Sequence, residues 1–334
     1  VVVVVSGVAF IWFANPLGVR DNILVNMIVK MRVAPKRLKN IKTPSDYGMQ
    51  YVDVDIITED NIRLSAWEIP SIIASDKTVI VNHPLTTTRY GSDAGLDGVS
   101  AEFLPMIRHL HEAGYNIVMY DHRGQGDSED ALVGAGVTEW QDVVASLRYV
   151  LNHSAFADDN IVFLSQCMGA NATFLAWKKE PELFSNSQIK GLIANQPTLS
   201  YNMTDRLIQS KMGIDLVSRV LDTQIEKFGF GFAKALDYVP SVTVPVLYAQ
   251  VEKDIYTFNK NTGQNDIVEI MNATTTENDI IWIGPDQQLP FGTGQRFDGY
   301  QFFNKHPETL LEFLALNLSF PWLLFELFPQ PLAV

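Results

Sequence analysis

Ile161-Val162-Phe163-Leu164-Ser165-Gln166-Cys167-Met168-Gly169-Ala170-Asn171 is the stretch that decides the fold of this chain. Its apolar, partly β-branched opening reads as a strand, and the pattern from Met168 to Lys179 reads as a helix, so a strand turns directly into a helix with Cys167 at the corner. A side chain carried on so tight a turn needs small residues two places before and two places after it, and Ser165 and Gly169 meet that requirement. Most free cysteines are simply small buried hydrophobes. At the N-terminus of a helix, however, the dipole favours an anionic sulfur, which makes Cys167 a candidate nucleophile.

Working outward, short apolar runs alternate with helical patterns from residue 51 onward, as in an α/β sheet. Eight strands are predicted. Tyr51 to Thr58 and Ile62 to Pro70 form an antiparallel hairpin across the polar turn Glu59-Asp60-Asn61. Thr78 to Asn82, Asn116 to Tyr120, Asn160 to Leu164, Lys190 to Asn195, Val244 to Gln250 and Asp279 to Ile283 follow, mostly separated by segments long enough for the crossovers that parallel strands need. Helices are expected over Ala101 to Ala113, Thr138 to His153, Met168 to Lys179, Asn265 to Asn272 and Pro307 to Leu316. The helical stretch between Leu199 and Val239 is longer than an ordinary connection and reads as a small lid. Residues 1–46 read as an N-terminal helical extension of one domain spanning 47–334.

The order of elements over roughly residues 50–318, together with the corner, resembles the α/β-hydrolase superfamily, with Ser165-Gln166-Cys167-Met168-Gly169 standing where that superfamily usually shows Gly-x-Ser-x-Gly. Dienelactone hydrolases are similar in carrying a cysteine at this place. The run Asp121-His122-Arg123-Gly124-Gln125-Gly126-Asp127-Ser128 resembles the superfamily's Asp-x-Arg-Gly-x-Gly-x-Ser loop, and His122 there reads as structural. After the third strand, Asn82-His83-Pro84-Leu85 stands where a backbone N–H usually serves the oxyanion hole. Pro84 has no N–H, so the resemblance points to Leu85, with Met168 as the second donor.

The resemblance places the triad acid after the seventh strand, where Asp254 matches best and Glu252 competes. It places a histidine base after the eighth strand. In Gly292-Thr293-Gly294-Gln295-Arg296-Phe297 the position assigned to it is Gln295, and glutamine takes no proton near neutral pH. Several readings follow. His306, before the last helix, turns back to Cys167 or only caps that helix. His83 serves from the loop beside the corner. A thiolate attacks unaided, with Asp254 or water handling deacylation. The fold persists without turnover.

Composition narrows the partners. With 334 residues, 47% of them hydrophobic, and a net charge of −13, the chain is a globular body that repels nucleic acid. One cysteine makes no internal disulfide, no Cys/His spacing suits zinc, and neither a Gly-rich dinucleotide loop nor a phosphate-binding lysine loop is present, so no metal or cofactor is expected. The apolar start from Val1 to Ala14 is short for a membrane span. With the apolar end from Leu314 to Phe328, it suggests packing, a homodimer or membrane-surface contact. The basic cluster from Lys30 to Lys42 reads as a solvated face, and the location is left between cytoplasmic and membrane-associated. Two functions emerge: a hydrolase or acyltransferase acting on an apolar ester, thioester or lactone through Cys167, or a catalytically reduced relative that binds a small apolar ligand or a partner.

Overall fold

The computed structural model describes residues 18–93 and 100–318, so the apolar ends Val1 to Ala14 and Phe320 to Phe328 lie outside the described residues. Eight strands form one sheet: β1 (Val52–Ile57), β2 (Arg63–Ile69), β3 (Lys77–Asn82), β4 (Asn116–Tyr120), β5 (Asn160–Gln166), β6 (Ile189–Asn195), β7 (Val246–Val251) and β8 (Asn278–Ile283). Their order is β1-β2-β4-β3-β5-β6-β7-β8. The first two pair antiparallel, β2 runs antiparallel to β4, and the rest are parallel. This is the eight-stranded, mostly parallel α/β-hydrolase sheet that the sequence leads one to expect.

The central strands carry unbroken apolar runs because both faces are covered. Val79, Ile80 and Val81 of β3, and Ile161 to Leu164 of β5, are at most 1% exposed. β1, at the edge, is largely exposed. The longer helices are α1 (Val19–Val33), α2 (Leu104–Glu112), α3 (Trp140–Asn152), α4 (Met168–Lys179), α5 (Ser200–Met212), α6 (Val217–Phe228), α7 (Ile267–Ala273) and α8 (Pro307–Leu318). α4 is buried from Met168 through Trp177, as befits the helix that follows the central strand. The start expected for α2 at Ala101 is instead a two-residue strand, Ala101–Glu102, paired with Gly91–Ser92; Pro105 then takes the first turn of the helix, where its missing N–H costs nothing.

A third apolar cluster sits apart from the two cores on the sheet faces. Leu24, Val25, Ile28 and Val29 of α1 pack with Ile208 of α5 and with Val217 and Val220 of α6. The described part of the N-terminal extension therefore shares a core with the 199–239 segment. Among the described residues no helix is long and apolar enough to cross a membrane.

Candidate active site

The sheet register builds the site. Asn82 lies opposite Tyr120 on β4 and Ser165 on β5, so three polar side chains form a row at the C-terminal edge. Asn82 Nδ2 donates to Ser165 Oγ (2.8 Å) and to Thr173 Oγ1 (3.2 Å), and the Tyr120 hydroxyl donates to Asn82 Oδ1 (2.5 Å). This closed network fixes the end of β5 against the start of α4. Gly169 completes the fit, since a Cβ there would lie 2.7 Å from the Asn82 carbonyl oxygen.

Cys167 occupies the turn with φ 49° and ψ −107°, a conformation that costs about 1–3 kcal/mol and survives only where its surroundings impose it. Its N–H donates to the Asn195 carbonyl (2.8 Å), and its own carbonyl accepts from Asn171 N–H (3.1 Å). Thr86 and Ala135, also non-glycine residues at positive φ, line the same cavity as Cys167. Three of the five described non-glycine residues at positive φ thus line one cavity.

That cavity is about 340 Å³. The body of the protein contributes Leu85, Cys167, Met168, Phe297 and Tyr300, while α1 and α5 contribute Ile28, Met31, Met203, Leu207 and Met212. Among the described residues its only charged lining residues are Arg32, Lys211 and Arg296. Leu85 and Met168 both lie on the wall beside Cys167. Met168 is the first residue of α4, where helix geometry leaves an N–H without an intrahelical acceptor.

Arg296, which the sequence reading passed over, stands where a base was sought. It is 3% exposed. Its Nη1 donates to Asp254 Oδ2 (2.6 Å), its Nε to the Tyr300 hydroxyl (2.8 Å) and its Nη2 to the Gln196 carbonyl (2.6 Å). Gln196 grips it from the other side, donating from Nε2 to the Arg296 carbonyl (2.6 Å). Gly299 permits this closeness, because a Cβ there would lie 2.7 Å from Gln196 Nε2.

Both Arg296 and Tyr300 lie within electrostatic reach of the Cys167 thiol. Burial alone would pull the Arg296 guanidinium down, but Tyr300, Cys167 and Asp254 outweigh it and hold the group well above its ordinary value. Burial likewise keeps Tyr300 protonated, against the pull of Arg296. The thiol thus faces a permanent cation and a neutral hydroxyl, neither of which takes a proton near neutral pH.

The sequence-predicted residues divide accordingly. Cys167, Leu85 and Met168 share the cavity, and Asp254, 1% exposed, reaches it through Arg296. Asp254 also accepts from Tyr256 N–H (3.1 Å) and the Thr257 hydroxyl (3.2 Å). Gln295 is exposed one residue before the buried position, at the cap of the one-turn helix Arg296–Gly299. His306 stacks on Phe302 with ring centroids 4.7 Å apart and bonds Glu308 (3.1 Å), outside the cavity.

His83 is buried with both nitrogens engaged: Nε2 accepts from His122 N–H (2.9 Å), and Nδ1 faces the Pro84 carbonyl (2.8 Å). Burial pushes its pKa down to about 3. It holds the loop after β3 against the loop after β4 and has no free nitrogen for Cys167. His122, against Asp142 (3.2 Å), is buried and pushed down to about 4. Glu252 does not line the cavity and bonds Gln287.

Comparison with known proteins gives the family. Residues 94–276, more than half of the chain, match the serine aminopeptidase S33 family model. The match includes Cys167 and Asp254 and ends before Arg296. Among curated proteins, the uncharacterized protein YfhR of Salmonella typhimurium is 26% identical over 133 residues, 39% of this chain and 42% of the relative. The uncharacterized membrane protein YNL320W of Saccharomyces cerevisiae is 27% identical over 154 residues, 46% of this chain and 50% of the relative. The chain thus spans about half the length of the curated relatives it matches. Among solved structures, the Pyrococcus furiosus esterase Pf2001 superposes with a TM-score of 0.63 at 23% identity, covering 86% of this chain and 98% of that one. The α/β hydrolase GrgF of a Penicillium species gives 0.55 at 16% identity, covering 81% and 100%. At these identities the two structures speak to the fold alone.

Proposed function

This chain belongs to the serine aminopeptidase S33 family, and from that premise we propose that it is an acyl-transfer hydrolase that works through Cys167 on apolar esters or thioesters. The observation that carries the reading is the strained turn that holds Cys167 in the wall of a mostly apolar cavity, with the Arg296–Asp254 pair against it. Among the described residues the cavity lining contains no Asp or Glu. A substrate with a free amino group would have no counter-charge there, so an ester or thioester suits it better than the N-terminus of a peptide.

In this reading the Cys167 sulfur, its proton given up to water, attacks the carbonyl carbon, and the backbone N–H groups of Leu85 and Met168 hold the oxyanion. Collapse breaks the bond to the alkoxide or thiolate leaving group, which takes a proton from water, and leaves a thioester on Cys167. A cysteine suits a site without an acceptor for its proton, because a thiol supplies some nucleophile at neutral pH and a serine hydroxyl does not. Arg296 cannot activate water for the second step. The acyl-enzyme therefore accumulates and is released slowly by water, or faster by an incoming thiol or amine that is itself nucleophilic.

The test is intact-protein mass after brief incubation with activated esters and thioesters, comparing the native chain with Cys167→Ala. An acyl adduct on the native protein alone is the expected result. Equal labelling of both, or none across a broad panel, would sink the nucleophile assignment and favour a binding protein.

A further inference from the structure

Among the described residues, the helices over the cavity hold a cation without a counter-charge. Arg32 of α1 lines the cavity. Its Nε donates to Gln224 Oε1 (3.2 Å) and its Nη1 to Thr204 Oγ1 (2.7 Å), both neutral. The guanidinium carbon rests 4.1 Å from the centroid of the Phe232 ring. Nη2 is shut off from solvent and donates to no described residue. With no described carboxylate beside it to offset the loss of water, burial pulls this guanidinium down to about 10.

The neighbouring arginines are treated differently. Arg206 of α5 makes two bonds to Asp266 (2.6 and 2.8 Å), and Arg219 of α6 pairs with Asp21 (3.3 Å). Arg296, across the cavity, has Asp254 (2.6 Å). Among the described residues, acids thus pair with Arg206, Arg219 and Arg296 and none pairs with Arg32. The exposed Lys211, two helical turns beyond Thr204 on α5, adds a second positive charge to the same wall.

A path of contacts links this cation to Cys167. Asn171, one turn into α4, bonds the Cys167 carbonyl (3.1 Å) and reaches Ser200 Oγ (3.4 Å); Thr204 lies one turn further along α5 and bonds the Ser200 carbonyl (2.7 Å) as well as Arg32. Each turn spans about 5.4 Å, so a flexible chain of moderate length can join the two ends through the apolar middle of the cavity.

We propose that the cavity takes esters or thioesters whose acyl chain ends in a carboxylate, with Arg32 holding that carboxylate while the scissile carbonyl lies at Cys167. The inference rests on the acyl-transfer reading above and adds the substrate class. A monoanion fits better than a dianionic phosphate, because Arg32 already spends Nε and Nη1 on neutral partners and has the unpartnered Nη2 to offer.

The experiment uses the full chain carrying Cys167→Ala, so that binding is read without chemistry. Calorimetry compares the monomethyl esters of succinate, adipate and suberate with the corresponding dimethyl esters. At one chain length the half-ester should bind at least about tenfold more tightly than the diester. Adding Arg32→Gln should bring the half-ester to the diester's affinity and leave the diester unchanged. Equal affinity of half-ester and diester at every length overturns the inference without touching the Cys167 assignment. A half-ester preference in a protein whose native form gives no adduct supports the carboxylate site and removes the nucleophile reading instead. The comparison with Arg32 intact stands by itself if Arg32→Gln disturbs the packing of α1.

Discussion

Replacing Arg296 by histidine puts an imidazole between Cys167 and Asp254, in the space the guanidinium now fills. A well-placed general base contributes about 10²–10⁴ in rate. The shorter side chain must share Asp254 with Tyr256 and Thr257, which already bond the carboxylate at 3.1 and 3.2 Å, so the lower end, about 10², is expected for deacylation. The substitution also removes three charge-assisted hydrogen bonds, to Asp254, Tyr300 and Gln196. Leaving a buried carboxylate without its cation costs about 3–5 kcal/mol. The two remaining donors and the imidazole offset part of this, so a net loss of about 2–3 kcal/mol, or a fall of about 3–4 °C in Tm for a chain of this length, should follow. The assay is single-turnover acylation with an activated ester, followed by the decay of the adduct in mass. If the folded variant releases its acyl group no faster than the native protein, Arg296 is not what withholds the second step, and the reasoning fails.

Cys167→Ser should lose adduct formation by at least about 10³-fold, because no described neighbour accepts the hydroxyl proton; undiminished labelling of the serine variant would reveal a base that this reading lacks. Gly169→Ala, which drives a methyl against the Asn82 carbonyl oxygen at 2.7 Å, should cost about 1–3 kcal/mol in urea unfolding and slow acylation more than it weakens ligand binding. His83 and His122 are buried and neutral, with pKa values near 3 and 4. Because both lie below the unfolded value of about 6.5, their contribution is complete above that pH and is lost on acidification, by about 3 kcal/mol each at pH 4. Replacing His122 with Asn should flatten the fall in unfolding free energy between pH 6.5 and 4 by up to one proton, and an unchanged slope would show that His122 already titrates normally.

The sequence by itself determined the sheet and the turn at its centre. Apolar runs such as Val79 to Val81 and Ile161 to Leu164 are local signals, because a strand covered on both faces has to be apolar at every position. The small residues around Cys167 are equally local, since the crowding they relieve arises within five residues and one neighbouring strand.

What only the tertiary structure decided is which side chain meets Cys167 from the far side. Gln295 and Arg296 are adjacent in the chain, and the loop from Ile283 to the one-turn helix fixes no register. One is exposed and the other buried because Arg296 finds Asp254, Tyr300 and Gln196 together, three partners contributed by three separate segments. The same holds for Arg32, which reads as part of a solvated basic face along the chain. It becomes a cavity wall only when α1 packs on α5 and α6, because burial and counter-charge are properties of the assembled neighbours and not of the residue.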